Sequence, residues 1–407
     1  MLKDAHFLLN SVFWLLNSGC ASTIVERTPP LTTHPSIIAP APRAAYNSNM
    51  SAPRLLIVKL SSLGDILHVL PTVHALRTGL GAAAVDWACQ PEYVPLVQCF
   101  ADVDRTIPVP RHGLARVWRG TLADIRRESY DMAIDLHGLF KSAWVVRAAR
   151  ARRRIGPSYA RELSCLAYGE RAGRRDRTRH AAEQAMDVLD HLGLPRPASP
   201  AAPLRYPRAE LPPAPLRIAF APVSRWPTKN WPAEHFGQLA RLLGGRGARV
   251  LVLGAPADHA VGEAICRLAP DTAENHCGRH TIPGLFGVLE QCDLLVANDT
   301  GPVHMAAALG RPCLVLFGPT RPGWTGPYGP GHQILSRGLP CQPCLSRRCR
   351  RGDHACLAGL TPGEVFAAAC AQLEGRPAAC PRPAAQPARP PAPAPAAEGG
   401  AAWAVSS

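Results

Sequence analysis

The feature that most constrains this chain is an alternation of buried-strand and amphipathic-helix patterns. It begins after Met50, pauses in a Pro-rich stretch at 207–215 (PRAELPPAP) and then starts again. Arg54–Leu60 (RLLIVKL) is a near-continuous apolar run, the pattern required of a parallel strand covered on both faces. A Ser-Ser-Leu-Gly turn follows, and Ile66, Leu67, Leu70, Val73 and Leu76 then recur at helical spacing. Val85–Ala88, Thr106–Val109 and Met132–Leu136 read as further short strands. The series restarts with Leu216–Ala221, a helix near Pro232–Leu243, and strands at Arg249–Leu253, Leu294–Ala297 and Cys313–Phe317. Repeated strand–helix alternation predicts an α/β protein of two doubly wound, Rossmann-like lobes. Such sheets bind ligands at the carboxyl ends of their strands, so two facing lobes predict a central cleft.

These patterns divide the 407 residues into a first lobe at 50–206, a linker at 207–215 and a second lobe at 216–375. Residues 1–49 read as an extension outside the fold. Phe7–Leu16 is apolar but broken by Asn10 and Ser11, and Asp4 offsets Lys3, so no signal-peptide pattern forms. Met50 directly precedes the first strand and is the expected start of translation. The Ala/Pro-rich residues 376–407 read as a disordered tail. No run approaches the ~20 apolar residues that a spanning helix needs, which excludes a polytopic membrane protein.

The formal charge is +15, and it is concentrated. Residues 147–179 hold eleven arginines against Glu162, Glu170 and Asp176, a net +8, and the loop 341–356 adds a net +3. Aromatic residues in the first stretch are few (Tyr159, Tyr168), which argues against stacking of single-stranded nucleic acid. A solvated Arg-rich face, anionic lipid or a sugar phosphate fits better. Of 45 Lys and Arg residues only Lys3, Lys59, Lys141 and Lys229 are lysines, and the last three fall at ends of strand patterns. Most cysteines are scattered singly in apolar contexts, the usage of a reducing compartment. The exception is Cys341-x2-Cys344-x4-Cys349-x6-Cys356 with His354 nearby, a spacing able to hold zinc or to carry free or paired thiols in a surface loop.

A G-x-x-x-x-G-K-[ST] loop is missing, which excludes a P-loop NTPase, and the lack of a strand-to-helix G-x-G-x-x-G argues against a classical NAD enzyme. Four other segments bring polar groups to strand ends. In Lys59-Leu60-Ser61-Ser62-Leu63-Gly64-Asp65-Ile66-Leu67-His68, Asp65 either caps the following helix or serves as a base at the cleft mouth. Asp135-Leu136-His137-Gly138-Leu139-Phe140-Lys141 places His137 and Lys141 at another strand end. Ser224-Arg225-Trp226-Pro227-Thr228-Lys229-Asn230-Trp231 sets a lysine, free to reach an anion, between two tryptophans expected to pack. Asn298-Asp299-Thr300-Gly301-Pro302-Val303-His304 joins a buried strand to a capped helix whose free N–H groups suit an anion.

In combination, KLSSLGDILHVLP, DLHGLFKSA, SYARELSCLAY, RTRHAAEQAMDVLDHLG, SRWPTKNWP and NDTGPVHMAAALGRP resemble the bacterial lipopolysaccharide heptosyltransferases of glycosyltransferase family nine, most of all those adding the first inner-core heptose. The resemblance spans roughly residues 54–375. It implies a GT-B fold and an inverting, metal-independent transfer of heptose from ADP-heptose to a Kdo–lipid A acceptor. No cofactor, metal or nucleic acid is implied, and the setting would be the cytoplasmic face of the inner membrane. Residue by residue, Asp65 matches the catalytic base and Lys229 the lysine that stabilises the departing diphosphate. Ser224, Asp299, Thr300, Gly301 and His304 fall on the donor side, and Ser62, Gly64, His137, Lys141 and Arg161 on the acceptor side. The residues alone leave open a family-nine transferase for another nucleotide sugar and a two-lobed binding protein without catalysis.

Overall fold

The computed structural model describes residues 52–111, 115–174, 176 and 178–375, together with a short strand at Ile24–Arg27. The expectations for the rest of 1–51 and for the tail at 376–407, including the start at Met50, concern residues outside those described.

Strand β1 is Ile24–Arg27. The first lobe is built on β2 (Arg54–Val58), β3 (Ala84–Cys89), β4 (Arg105–Pro108), β5 (Ser129–Asp135), β6 (Arg150–Pro157) and β7 (Glu170–Ala172). They form one parallel sheet in the order β4-β3-β2-β5-β6-β7. The second lobe uses β8 (Leu216–Ala221), β9 (Ala248–Val252), β10 (Ala273–Asn275), β11 (Leu294–Asn298), β12 (Cys313–Leu316) and β13 (Gln333–Ser336). These are also parallel, in the order β13-β12-β11-β8-β9-β10, with β1 added antiparallel beyond β13. Both lobes therefore repeat the doubly wound order, and the chain reverses its direction of travel between β2 and β5 in one lobe and between β8 and β11 in the other. The central strands are covered on both faces, which is why they read as apolar runs. Leu55, Leu56, Ile57 and Val58 are all fully buried, as are Val296 and Ala297.

The helix expected across Ile66–Leu76 is two helices, Leu63–His68 and Leu70–Gly79, hinged at Val69. Pro71 lies in the first turn of the second helix, where its missing N–H is tolerated and the chain restarts cleanly. The Arg-rich run contains an unexpected strand, β6, paired to β5 and β7. Arg153 is accommodated there by a two-armed pairing with Glu170, both arms at 2.7 Å. The segment 207–215 has no helix or strand and runs against the helix Ile282–Glu290, with the Gln291 side-chain amide donating to the Ala209 carbonyl at 2.7 Å. Just before it, Tyr206 stacks on Phe286 with ring centroids 5.5 Å apart, so the crossing between lobes is itself packed.

Candidate active site

The two switch points face each other. Lys59–Gly64 leaves β2, Asp135–Gly138 leaves β5, Ser224–Asn230 follows β8 and Asn298–Gly301 follows β11. A cleft lies between the lobes and is lined by Ser62, Gly64, Asp65, Ser224, Trp226, Lys229, Asp299, Thr300, Gly301 and His304 among others.

On the first-lobe wall, the Ser62 N–H and hydroxyl donate to Asp65 Oδ2 at 3.1 and 2.7 Å, leaving the other carboxylate oxygen for the cleft. Burial acts to raise the Asp65 pKa. Lys59, the Ser62 hydroxyl and N–H, and His304 outweigh it and hold the carboxyl below its usual value. Lys59 is not itself a cleft group: its ammonium donates to the Leu136 carbonyl at 2.8 Å and sits between Asp65 and Asp135. Asp135 braces the next turn, accepting from the His137 and Gly138 N–H groups at 2.7 and 3.0 Å and from the Tyr168 hydroxyl at 2.7 Å. Gly138 makes that turn at φ +75°, with Pro157 close enough to exclude a side chain. Burial lowers the His137 pKa to about 4, with Lys59 adding to the effect, so its imidazole is neutral at neutral pH.

On the second-lobe wall, Lys229 is not free, contrary to the expectation from sequence. Its ammonium pairs with Asp299 Oδ2 at 2.6 Å, and the Thr320 hydroxyl donates to the same oxygen at 2.7 Å. The buried Asn298 ties the two turns together, accepting from the Trp231 N–H at 3.1 Å and donating to the Pro222 carbonyl. Trp231 is core, whereas Trp226 forms cleft wall, with the Lys229 ammonium 4.9 Å and the Arg347 guanidinium 5.1 Å from its ring centroid. The loop carrying Arg347 is anchored beside the cleft by the Thr228 hydroxyl, which donates to the Ser346 carbonyl at 2.8 Å. Thr300 precedes the helix Gly301–Ala308, and Pro302 occupies its first turn.

The lobes approach each other tightly at Gly64. A Cβ on Gly64 would stand 2.6 Å from His304 Cδ2 and 2.8 Å from its Nε2, so only glycine fits there. Behind it, His304 Nδ1 and His68 Nε2 are 3.1 Å apart. His68 also meets the His180 ring edge-on at 4.8 Å. Burial depresses the pKa of all three imidazoles, that of His180 to about 4, so they are neutral at neutral pH. His180 Nδ1 accepts from the Ala182 N–H, which puts its proton on Nε2, facing the Gly326 carbonyl. For the His68–His304 pair, a proton on His68 Nε2 leaves only an acceptor unpaired at the buried His68 Nδ1. The opposite choice would strand an N–H, the rarer and costlier defect. His304 then carries its own proton on Nε2, at the Gly64 edge of the cleft.

Of the residues singled out from sequence, Ser62, Gly64, Asp65, Ser224, Lys229, Asp299, Thr300, Gly301 and His304 come together in the cleft. Lys141 does not line it; its ammonium bonds the Arg111 carbonyl. Arg161 is exposed, and its N–H donates to the Gly138 carbonyl at 2.9 Å, next to the His137 turn. His68 ends the first segment without a role of its own and Thr320 lies outside all four, because the partners that give them meaning lie 236 and 21 residues away. The thiols of Cys341, Cys344, Cys349 and Cys356 are free, and among the described residues no three His, Cys, Asp or Glu side chains converge on a metal position.

The profile of glycosyltransferase family 9 (heptosyltransferase) matches residues 118–354. Lipopolysaccharide heptosyltransferase 1 of Pseudomonas aeruginosa is 33% identical over 319 residues, which cover 73% of this chain and 87% of that protein. The enzyme of the same name from Escherichia coli is 30% identical, with 69% of this chain and 92% of that protein covered. Among solved structures, an E. coli heptosyltransferase with ADP-2-deoxy-2-fluoro heptose superimposes with a TM-score of 0.63 at 27% identity, covering 78% of this chain and 99% of that one.

Proposed function

The chain belongs to glycosyltransferase family 9, and on that premise we propose that it moves heptose from ADP-heptose to the Kdo–lipid A inner core of lipopolysaccharide by inverting, metal-independent displacement. The observation that carries this reading is the meeting of an ionised carboxylate, Asp65, and a lysine, Lys229, across one cleft between the two switch points. The lobe at 50–206 would hold the acceptor and the lobe at 216–375 the donor, joined at 207–215. The chain would work at the cytoplasmic face of the inner membrane; among the described residues no helix is long and apolar enough to cross one.

In the proposed reaction the acceptor hydroxyl attacks the anomeric carbon of the donor, and Asp65 accepts the hydroxyl proton. The bond from that carbon to the diphosphate oxygen breaks, and ADP departs with the electron pair. Negative charge grows on the diphosphate, so the opposite wall has to supply positive charge and N–H donors. Lys229, the His304 Nε2–H and the first turn of Gly301–Ala308 are the groups suited to it. The diphosphate would compete with Asp299 for the Lys229 ammonium. A positioned donor at such a site lowers the barrier by about 3–4 kcal/mol. Ser224 would contact the donor, and Ser62, Gly64, His137 and Arg161 the acceptor, with Lys141 at its periphery.

Thermal-shift screening of ADP-heptose against UDP- and GDP-sugars, followed by ADP-release assays with the best donor, tests the assignment. Selective stabilisation by ADP-heptose is the expected result. Stabilisation by a UDP- or GDP-sugar alone would reassign the donor.

A further inference from the structure

Away from the cleft, the first lobe carries an apolar and basic surface that the proposed chemistry does not use. Phe140, Leu163 and Leu166 are 61, 75 and 76% exposed, the three most exposed large apolar residues among those described. They belong to one structural unit. The Phe140 N–H donates to the Glu162 carboxylate at 3.1 Å, and the Leu166 N–H to the Leu163 carbonyl at 3.1 Å. Glu162 and Leu163 are both held in the left-handed region, at φ 58° and 60°. Two consecutive bulky residues rarely adopt that conformation, and here it turns a leucine outward into solvent. Leu166 also walls an open hollow with Arg147 and Arg152. Arg153 in the same hollow is matched by Glu170, whereas Arg147 is exposed and Arg152 remains 75% exposed beside Asp131.

We infer that this surface, Phe140, Leu163 and Leu166 flanked by Arg147 and Arg152, is a docking face for an anionic lipid bilayer. Protruding apolar side chains insert at the boundary between headgroups and acyl chains, while neighbouring arginines meet anionic headgroups. A soluble sugar phosphate would be served by the arginines alone and gives no reason to hold three large apolar side chains in water. The surface is built on the same turn as the acceptor side of the cleft, through the Arg161 N–H bond to Gly138 and the Ser164 hydroxyl bond to the same carbonyl at 3.2 Å. Docking there would bring the cleft to a lipid-borne acceptor. The inference deepens the proposed function, but vesicle binding is measured without donor or turnover, so each can fail separately.

The test is sedimentation of the full chain with vesicles of phosphatidylcholine alone and of a 2:1 mixture with phosphatidylglycerol. The chain is expected to partition to the mixed vesicles only. Leu163→Ser with Leu166→Ser should weaken partition roughly tenfold or more. Arg147→Gln and Arg152→Gln should each weaken it about fivefold. All four side chains are solvent-facing, and an unchanged circular dichroism spectrum and melting temperature will confirm intact folding. Leu242→Ser, at a 42% exposed leucine on the other lobe, should leave binding unchanged. Equal binding to both vesicle types, wild-type binding by the leucine pair, or binding only when a phosphorylated glycolipid is added would overturn the inference. The last outcome would make the surface an acceptor subsite instead.

Discussion

Replacing Gly64 by alanine probes the contact on which the cleft depends. The new methyl would lie 2.6 Å from His304 Cδ2, about 1 Å inside ordinary carbon–carbon contact. His304 cannot swing away freely: it is 8% exposed and its Nδ1 is engaged by His68 at 3.1 Å. Either the ring retreats and the buried imidazole pair breaks, or the lobes separate. Overpacking costs about 1–3 kcal/mol, and loss of the hydrogen bond about 0.5–1.5 kcal/mol. The better helix propensity of alanine returns only about 1 kcal/mol. The expected net is about 1–3 kcal/mol of lost stability, with a fall in turnover of about 10²-fold from the ångström-scale displacement. Urea denaturation and steady-state rates at saturating substrates measure both. Gly120→Ala is the control, because that helical glycine faces open space. It should stabilise by about 0.4–1 kcal/mol and leave the rate unchanged. Wild-type stability and turnover in Gly64→Ala would refute the close approach of His304 to the first lobe.

Other substitutions test the assigned roles. Asp65→Asn keeps an oxygen for the two Ser62 bonds, so the fold should survive while turnover drops by about 10²–10⁴; a near-wild-type rate removes Asp65 from proton transfer. Lys229→Ala should cut turnover at saturating donor by about 10²–10³, and an effect confined to KM would make Lys229 a binding residue only. Three imidazoles, those of the half-buried His137 and His180 and the buried His332, have pKa values lowered to about 4, while the unfolded chain protonates its histidines near pH 6.5. Depressed histidines favour the folded state above the unfolded value, and stability is lost as pH falls from about 6.5 towards 4. Each should lose about 2 kcal/mol between pH 7 and pH 5, read as a lower urea midpoint. An unchanged midpoint would show that these rings are not held neutral in the folded chain.

The parallel sheet was legible where strands are covered on both faces, because Arg54–Val58 and Leu294–Asn298 then consist almost wholly of apolar residues. It was illegible at β6, where four arginines in Arg150–Pro157 mask a strand dictated by pairing with β5 and by the partner Glu170. The cleft residues are readable because turns at strand ends point one way in a doubly wound sheet, which marks Asp65, Lys229 and Asp299. Side-chain direction is not. Lys59 and Lys141 sit in the right segments, yet one bonds the Leu136 carbonyl and the other that of Arg111. The Lys229–Asp299 pair and the His68–His304 bond join positions 70 and 236 residues apart, and no local pattern encodes them.

The most direct test of the central claim is the stereochemistry of transfer. The purified full chain, given ADP-heptose and Kdo–lipid A in the presence of a chelator, should yield a product heavier by one heptose. Nuclear magnetic resonance of that product should show an anomeric configuration opposite to the donor's, as a single displacement with Asp65 taking the acceptor proton requires. Retained configuration, or transfer abolished by the chelator and restored by a divalent metal, would contradict it.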